Sequence, residues 1–188
     1  MSVLSGRSVS PFSSPRACLI AILSCSLLGT ASAATLRGEV VGLADGDTLT
    51  VLDKERQQHR VRLVGIDAPE KRQAFGERSR QNLSALVLRQ DVVVDWKKRD
   101  RYGRILGVVH VRSVDVGQAQ LRAGLAWHYK AYEREQAAEQ RILYSAEEVD
   151  ARRARRGLWS EAAPTPPWEF RRSKVTGARA AAEDPAAR

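Results

Sequence analysis

The chain has 188 residues, 43% of them hydrophobic, which is the length of one ordinary domain plus extra segments with enough apolar material for a core. Lys and Arg number 31 against 22 Asp and Glu, a formal net charge of +9 with a sequence pI of about 10.1. Such an excess favours an acidic partner, either nucleic acid or an anionic membrane surface, although solubility alone also accounts for it. The two cysteines, Cys18 and Cys25, both fall in an apolar N-terminal segment, so a disulfide framework is excluded for the remainder.

That segment reads as an export signal. Arg7 and Arg16 supply the positive leader, residues 17–29 are apolar apart from small polar residues, and Ala31-Ser32-Ala33 offers a small-residue cleavage site before Ala34. The run is shorter than the ~20 apolar residues of a membrane span. Cleavage after Ala33 removes two Arg and no acid, so the charge falls only from +9 to +7 and the basic character belongs to the working domain. A periplasmic or secreted protein is expected, with lipid attachment at Cys25 as the lesser alternative.

From Leu36 the pattern turns to strands. Residues 38–43 are Val-rich and run into the turn signal Asp45-Gly46; residues 48–52 and 60–66 continue as short apolar-alternating runs. Pro69 stops the third run. A helix is expected over residues 76–88, with Leu83, Leu86 and Val87 on one face. Residues 92–96 and 105–111 make a second hairpin around the charged turn 97–104. A short helix is expected over 118–123, closed by Gly124, and a longer one over 134–155. Its expected buried side carries Ala138, Ile142, Tyr144-Ser145-Ala146 and Val149, with Gly157 closing it. Beyond Ala162, the prolines 164, 166 and 167 break regular structure, and the end of the Ala/Arg-rich tail is expected to be disordered. The order suits a small closed β-barrel with helices on one side, with an open sandwich as the alternative.

Three polar clusters lie at strand ends: Asp45-Gly46-Asp47-Thr48, Arg62 through Asp67-Ala68-Pro69-Glu70, and Asp100-Arg101-Tyr102-Gly103-Arg104. Singly, each has a bland reading as a turn, a polar strand exit or a solvated hairpin tip. Together they suit phosphodiester cleavage, which needs charge neutralised on phosphoryl oxygens, a metal to polarise the phosphate and a carboxylate to activate water. Carboxylates without His or Cys form a hard oxygen site suited to Ca²⁺ or Mg²⁺, not Zn²⁺. Arg presents a planar fork that matches phosphate oxygens bidentately.

The ordered set Asp-Gly-Asp-Thr, Arg-Leu-x-x-Ile-Asp-Ala-Pro-Glu, Asp-x-Tyr-Gly-Arg, Gly-Leu-Ala and Ala-Arg…Gly-Leu-Trp resembles the thermonuclease (staphylococcal-nuclease-like) family over about residues 38–159. The resemblance implies an OB-type fold, mainly β with helices: a five-stranded barrel with about three packed helices, occupying residues 34–161 between a signal peptide at 1–33 and a tail at 162–188. It implies a calcium-dependent, sugar-nonspecific nuclease. Asp47 and Asp67 match the calcium ligands, with the Ala68 carbonyl as a third. Arg62 and Arg104 match the arginines that hold the phosphate, and Glu70 the carboxylate that positions or deprotonates water. Products would carry 3′-phosphates. The stretch 71–75 is shorter than the mobile substrate loop of the staphylococcal member, and Val116-Gly117 stands where many relatives have Val-Asn.

DNA and RNA are the expected partners of a monomer, with single-stranded or flexible regions favoured. Tyr132 and Tyr129 are candidates to stack on a base, with core packing as the alternative. Lys97, Lys98 and Arg101 are candidates to track the phosphate backbone, or form a solvated tip. His59, His110 and His128 lack metal-ligand spacing. A barrel that binds nucleic acid without cutting it is the competing class. Arg62 and Asp67 are five residues apart, which on an ideal strand puts them on opposite faces. Their convergence requires a bend, and Gly65 permits one.

Overall fold

The computed structural model describes residues 34–183. The signal-peptide expectation, with Cys18 and Cys25, lies outside them. Strands β1 (Ala34–Leu43), β2 (Thr48–Leu52), β3 (Gln58–Leu63), β5 (Asp91–Arg99) and β6 (Ile105–Val111) follow the order β3-β2-β1-β5-β6. The sheet closes because β3 pairs in parallel with β6, Val61 opposite Ile105 and Leu63 opposite Gly107. This is the expected five-stranded OB-type barrel. Its interior is filled by the inward members of each alternation, among them Val40, Leu49, Val51, Val61, Leu63, Val94, Ile105 and Val109.

Two short strands lie outside that cycle: β4 (Ile66–Asp67) pairs with β8 (Trp127–His128), and β7 (Val114–Asp115) pairs with β6. Helix α1 (Gly76–Val87) covers the barrel with fully buried Leu83 and Val87. Helix α2 (Val116–Arg122) is capped by Asp115, whose carboxylate accepts the Gln118 N–H. Gly124 ends that segment at φ 66°, as its C-cap position demands. Helix α3 spans Ala138–Arg153 and α4 Pro167–Glu183. None of the described helices is long and apolar enough to cross a membrane.

The bend between Arg62 and Asp67 is real and locked. Strand β3 stops at Leu63, and Gly65 turns the chain at φ 77° into β4. A Cβ on Gly65 would lie 2.1 Å from the Gln136 amide nitrogen, so glycine is demanded by space as well as by dihedral. The Val64 N–H donates to the Gly107 carbonyl, and the Gly65 carbonyl accepts the Tyr129 N–H. Loop, barrel and β8 are thereby tied at one point.

Two expectations are corrected. The single helix over 134–155 is a 3-10 turn (Lys130–Glu135), a break, then α3, whose buried residues are Tyr144, Glu148 and Ala151. Ile142 is 70% exposed and Val149 is exposed too. Polar contacts decide the rotation of the helix: the Tyr144 hydroxyl donates to Asp115 at 2.9 Å, and Glu148 accepts the His128 N–H at 3.1 Å. The tail is helical over Pro167–Glu183 after its prolines, while residues 184–188, the end expected to be disordered, lie outside the described residues. Pro167 is the first residue of α4, where its missing N–H costs nothing, and Trp168 then packs edge-on against Trp127 at 5.6 Å between centroids.

Gly65→Ala is expected to lower the unfolding free energy by ~1–3 kcal/mol in a urea titration, through αL strain and displacement of Gln136. Gly103→Ala has the same φ of 77° but meets no atom within 4 Å, so it should lose less. Equal losses would show that the Gln136 contact is unimportant.

Candidate active site

The first cluster is held from beneath by the helices. Gly46 sits where a Cβ would lie 1.9 Å from the Ser79 hydroxyl and 2.9 Å from the Ala68 Cβ, so the turn packs directly on α1 and on the segment after β4. The Gln120 side chain of α2, completely buried, donates its amide to the Gly46 carbonyl at 2.6 Å and to the Ser79 carbonyl at 3.1 Å. Asn82 of α1 donates to the Gln120 carbonyl oxygen at 2.6 Å. This network fixes the next residue, Asp47, which is 2% exposed. Its Oδ1 accepts the Thr48 hydroxyl at 2.9 Å, and its Oδ2 accepts the Ala68 backbone N–H at 2.8 Å.

The second cluster meets the first through Arg62. Nη1 of Arg62 pairs with Asp47 Oδ1, and Nη2 donates to Asp67 Oδ1 at 2.8 Å. Asp67 is fully buried. Burial is the larger influence on Asp47 and pushes its carboxyl pKa up, against the pull of the Arg62 charge. Burial likewise opposes the guanidinium charge, but Asp47 and then Asp67 outweigh it and raise the pKa of Arg62 further. The three groups form a desolvated, mutually dependent set.

Glu70 lies three residues beyond Asp67, at the mouth of the cluster, with its side chain 36% exposed. Its backbone N–H donates to Gln73 Oε1 at 3.1 Å and its carbonyl accepts the Gln73 N–H at 2.8 Å, a compact turn that leads into α1. An arginine from α4 links it to Asp67: Arg171 Nη1 donates to Glu70 Oε1 at 2.7 Å and Nη2 to Asp67 Oδ2 at 2.7 Å.

Asp47, Arg62, Asp67, Ala68 and Glu70 therefore come together, with Ala68 contributing its N–H to the cluster. Arg104 stands on the neighbouring hairpin, just before the Ile105 that pairs with Val61. Asp100 holds it there, accepting from Arg104 Nε at 2.7 Å and from its backbone N–H at 2.9 Å. No ion pair or hydrogen bond among the described residues joins Arg104 to the Asp47–Arg62–Asp67 set. Of the candidate substrate contacts, Tyr132 is 54% exposed with its ring 5.4 Å from that of Tyr129, which in turn meets Trp168 at 5.3 Å. Lys98 is paired with Glu135 at 2.6 Å, Arg101 lies over the Tyr102 ring at 4.9 Å, and Lys97 is exposed at an irregularity in β5.

The donor set fits a hard cation. Asp47 and Asp67 offer carboxylate oxygens, a third carboxylate lies beside them, and no sulfur or imidazole is present, which suits Ca²⁺ or Mg²⁺. Among the described residues no three acidic, His or Cys side chains stand close enough to form a ready-made metal nest. A guanidinium intervenes at each step, Arg62 between the two aspartates and Arg171 between Asp67 and Glu70. Sequence reading missed Gln120, Trp168 and Arg171. The aromatic residues of Pro-Pro-Trp-Glu-Phe and the helix-starting Pro167 were the available signal for α4, and nothing local marks Arg171 among its neighbours.

Comparison with known proteins shows the family of the chain. Residues 60–161 match the family described as staphylococcal nuclease homologue. The chain is 46% identical to Protein ParB of Escherichia coli over 161 residues, covering 81% of this chain and 88% of that protein. It is 47% identical over 149 residues to a micrococcal nuclease of Shigella flexneri, covering 74% and 83%. An uncharacterized endonuclease of Escherichia coli is 44% identical over 142 residues, covering 75% and 88%.

Gln120→Ala should leave the buried Gly46 carbonyl without a donor and cost ~1–3 kcal/mol of stability, read by urea denaturation. A loss below ~0.5 kcal/mol, the size of a neutral surface change, would show that this amide does not hold the Asp47 turn.

Proposed function

The chain belongs to the staphylococcal nuclease homologue family and is a nuclease, a hydrolase acting on nucleic acid; we propose that it is an exported, calcium-dependent enzyme that cleaves both DNA and RNA to 3′-phosphorylated products. The observation that carries this reading is the convergence of Asp47, Arg62 and Asp67 from three chain segments onto one end of the barrel, with Glu70 beside them. Calcium is the cation favoured by an all-oxygen donor set built from Asp47, Asp67 and the Ala68 carbonyl. Export is supported by the leader-like residues 1–33, and makes the periplasm or the exterior the place of action.

When bound, the cation would neutralise and polarise the phosphoryl group. The remaining work falls to side chains of this chain. Arg62 and Arg104 each present a fork of donors to the non-bridging phosphate oxygens, most strongly as charge builds in the five-coordinate transition state. Glu70, the most solvent-accessible of the three acids, takes the proton from the attacking water. The bond between phosphorus and the 5′ oxygen breaks, and the phosphate stays on the 3′ side. Tyr132 and Tyr129 supply aromatic surface for a base, and Lys97, Lys98 and Arg101 attract the backbone, which favours flexible or single-stranded regions. The protein acts as a monomer in this reading.

Single-stranded DNA incubated with the mature protein should be cut in Ca²⁺ and left intact in chelator, with 3′-phosphate termini. Arg62→Lys and Arg104→Lys keep the charge but lose the fork, so each should lose at least ~10²-fold in kcat with a smaller change in KM. Near-normal turnover in both would remove these arginines from the mechanism. Binding without cleavage in Ca²⁺ would leave a nucleic-acid-binding module in place of the enzyme.

A further inference from the structure

Arg171 lies outside the residues that match the family, on a helix the family match does not reach. Its position matters because of how the oxygens of the two buried aspartates are used. Asp47 Oδ1 accepts from Arg62 and from the Thr48 hydroxyl, and Oδ2 accepts from the Ala68 N–H. Asp67 Oδ1 accepts from Arg62 and, at 3.3 Å, from Arg171, and Oδ2 accepts from Arg171. Every oxygen of the pair is already engaged by a donor. A carboxylate oxygen that accepts one hydrogen bond still offers a lone pair to a cation, but a divalent cation reaching both aspartates would lie against the guanidinium charges already seated on them, and that repulsion favours the departure of one.

The donors differ in what their departure would disturb. Thr48 is in β2, Arg62 in β3, and the Ala68 N–H belongs to the backbone directly after β4; all three are parts of the barrel or its rim. Arg171 reaches in from α4, 104 residues along the chain from Asp67, and its side chain is 43% exposed. It can swing to water without breaking a strand, and α4 keeps its separate anchors through Trp168 on Trp127 and Tyr129. The same guanidinium also engages Glu70 Oε1 at 2.7 Å. While it does so, that oxygen is turned toward a donor and is not free to accept from a water.

We propose that Arg171 is a further residue of the active site that sets the divalent-cation requirement: it serves as an internal cation on Asp67 and Glu70, and the binding of the divalent cation displaces it. One exchange then opens the cation position and frees the base together. This rests on the reading of Asp67 as a cation ligand and Glu70 as the base. It also assigns α4 a role in the site, as the element that brings the competing charge.

The test is calcium titration by calorimetry, without nucleic acid, of the full mature chain and of its Arg171→Gln and Arg172→Gln variants at fixed ionic strength. Both variants lose one positive charge, but among the described residues Asp67 and Glu70 pair with Arg171 and not with Arg172. Arg171→Gln should bind calcium roughly tenfold more tightly, while Arg172→Gln should stay within about twofold of the unsubstituted protein. Unchanged or weaker binding in Arg171→Gln, or equal tightening in both variants, would overturn the proposal. Absence of calcium binding in all three would overturn the calcium reading itself and the proposal with it. In the unsubstituted protein the Arg171 Nε–H resonance should shift as calcium is added, and a resonance that does not move through saturation would also overturn the proposal.

Discussion

Two carboxylates buried beside each other cannot both hold their charge without positive charge close at hand, and at one end of this barrel that demand is met by Arg62. Asp47 and Asp67 are each within 2% of complete burial, and the Arg62 guanidinium spans them. Removing one partner from such a set leaves an uncompensated buried charge, typically at a cost of 3–5 kcal/mol. The local architecture follows from keeping the three together. Gly65 turns the chain so that Asp67 returns to the face of Arg62, and Gly46 lets the preceding turn lie flat on Ser79. Gln120 then pins that turn to two helices. The barrel supplies strand ends in register, and the helices behind it supply the donors that its turns need.

The same electrostatics explains why the site is suited to phosphate chemistry. A set that contains more carboxylates than guanidiniums favours an added cation, and a set with cation and arginines favours an added phosphate. Arg104 is oriented separately, by Asp100 on the next hairpin. The aromatic residues Tyr129, Tyr132 and Trp168 stand ring to ring, two of them from the segment after β8 and one from α4.

Much of this was legible in the sequence because it is local. Asp-Gly-Asp, the interval from Arg62 to Asp67 with a glycine inside it, and Asp100 four residues before Arg104 each carry their geometry within a few residues. The strands were legible for the same reason, since alternation is a property of neighbours. What was not legible depends on partners far along the chain. The face that α3 buries is chosen by Tyr144 on Asp115 and Glu148 on the β8 backbone, so Ile142 and Val149, which hydrophobicity would place inside, face solvent. Helix α4 was hidden by prolines that end one segment and begin another. Arg171 looks like any basic residue of a polar tail until the fold carries it to Asp67.

In the proposed reading, Asp47 and Asp67 are held together by Arg62 so as to receive a hard divalent cation. The direct measurement is the anomalous scattering of calcium in crystals of the mature chain grown with Ca²⁺. The account predicts a peak ~2.3–2.6 Å from oxygens of both Asp47 and Asp67, the ordinary calcium–oxygen distance. A calcium peak elsewhere on the surface, with Arg62 and Arg171 still closing both aspartates, would contradict it.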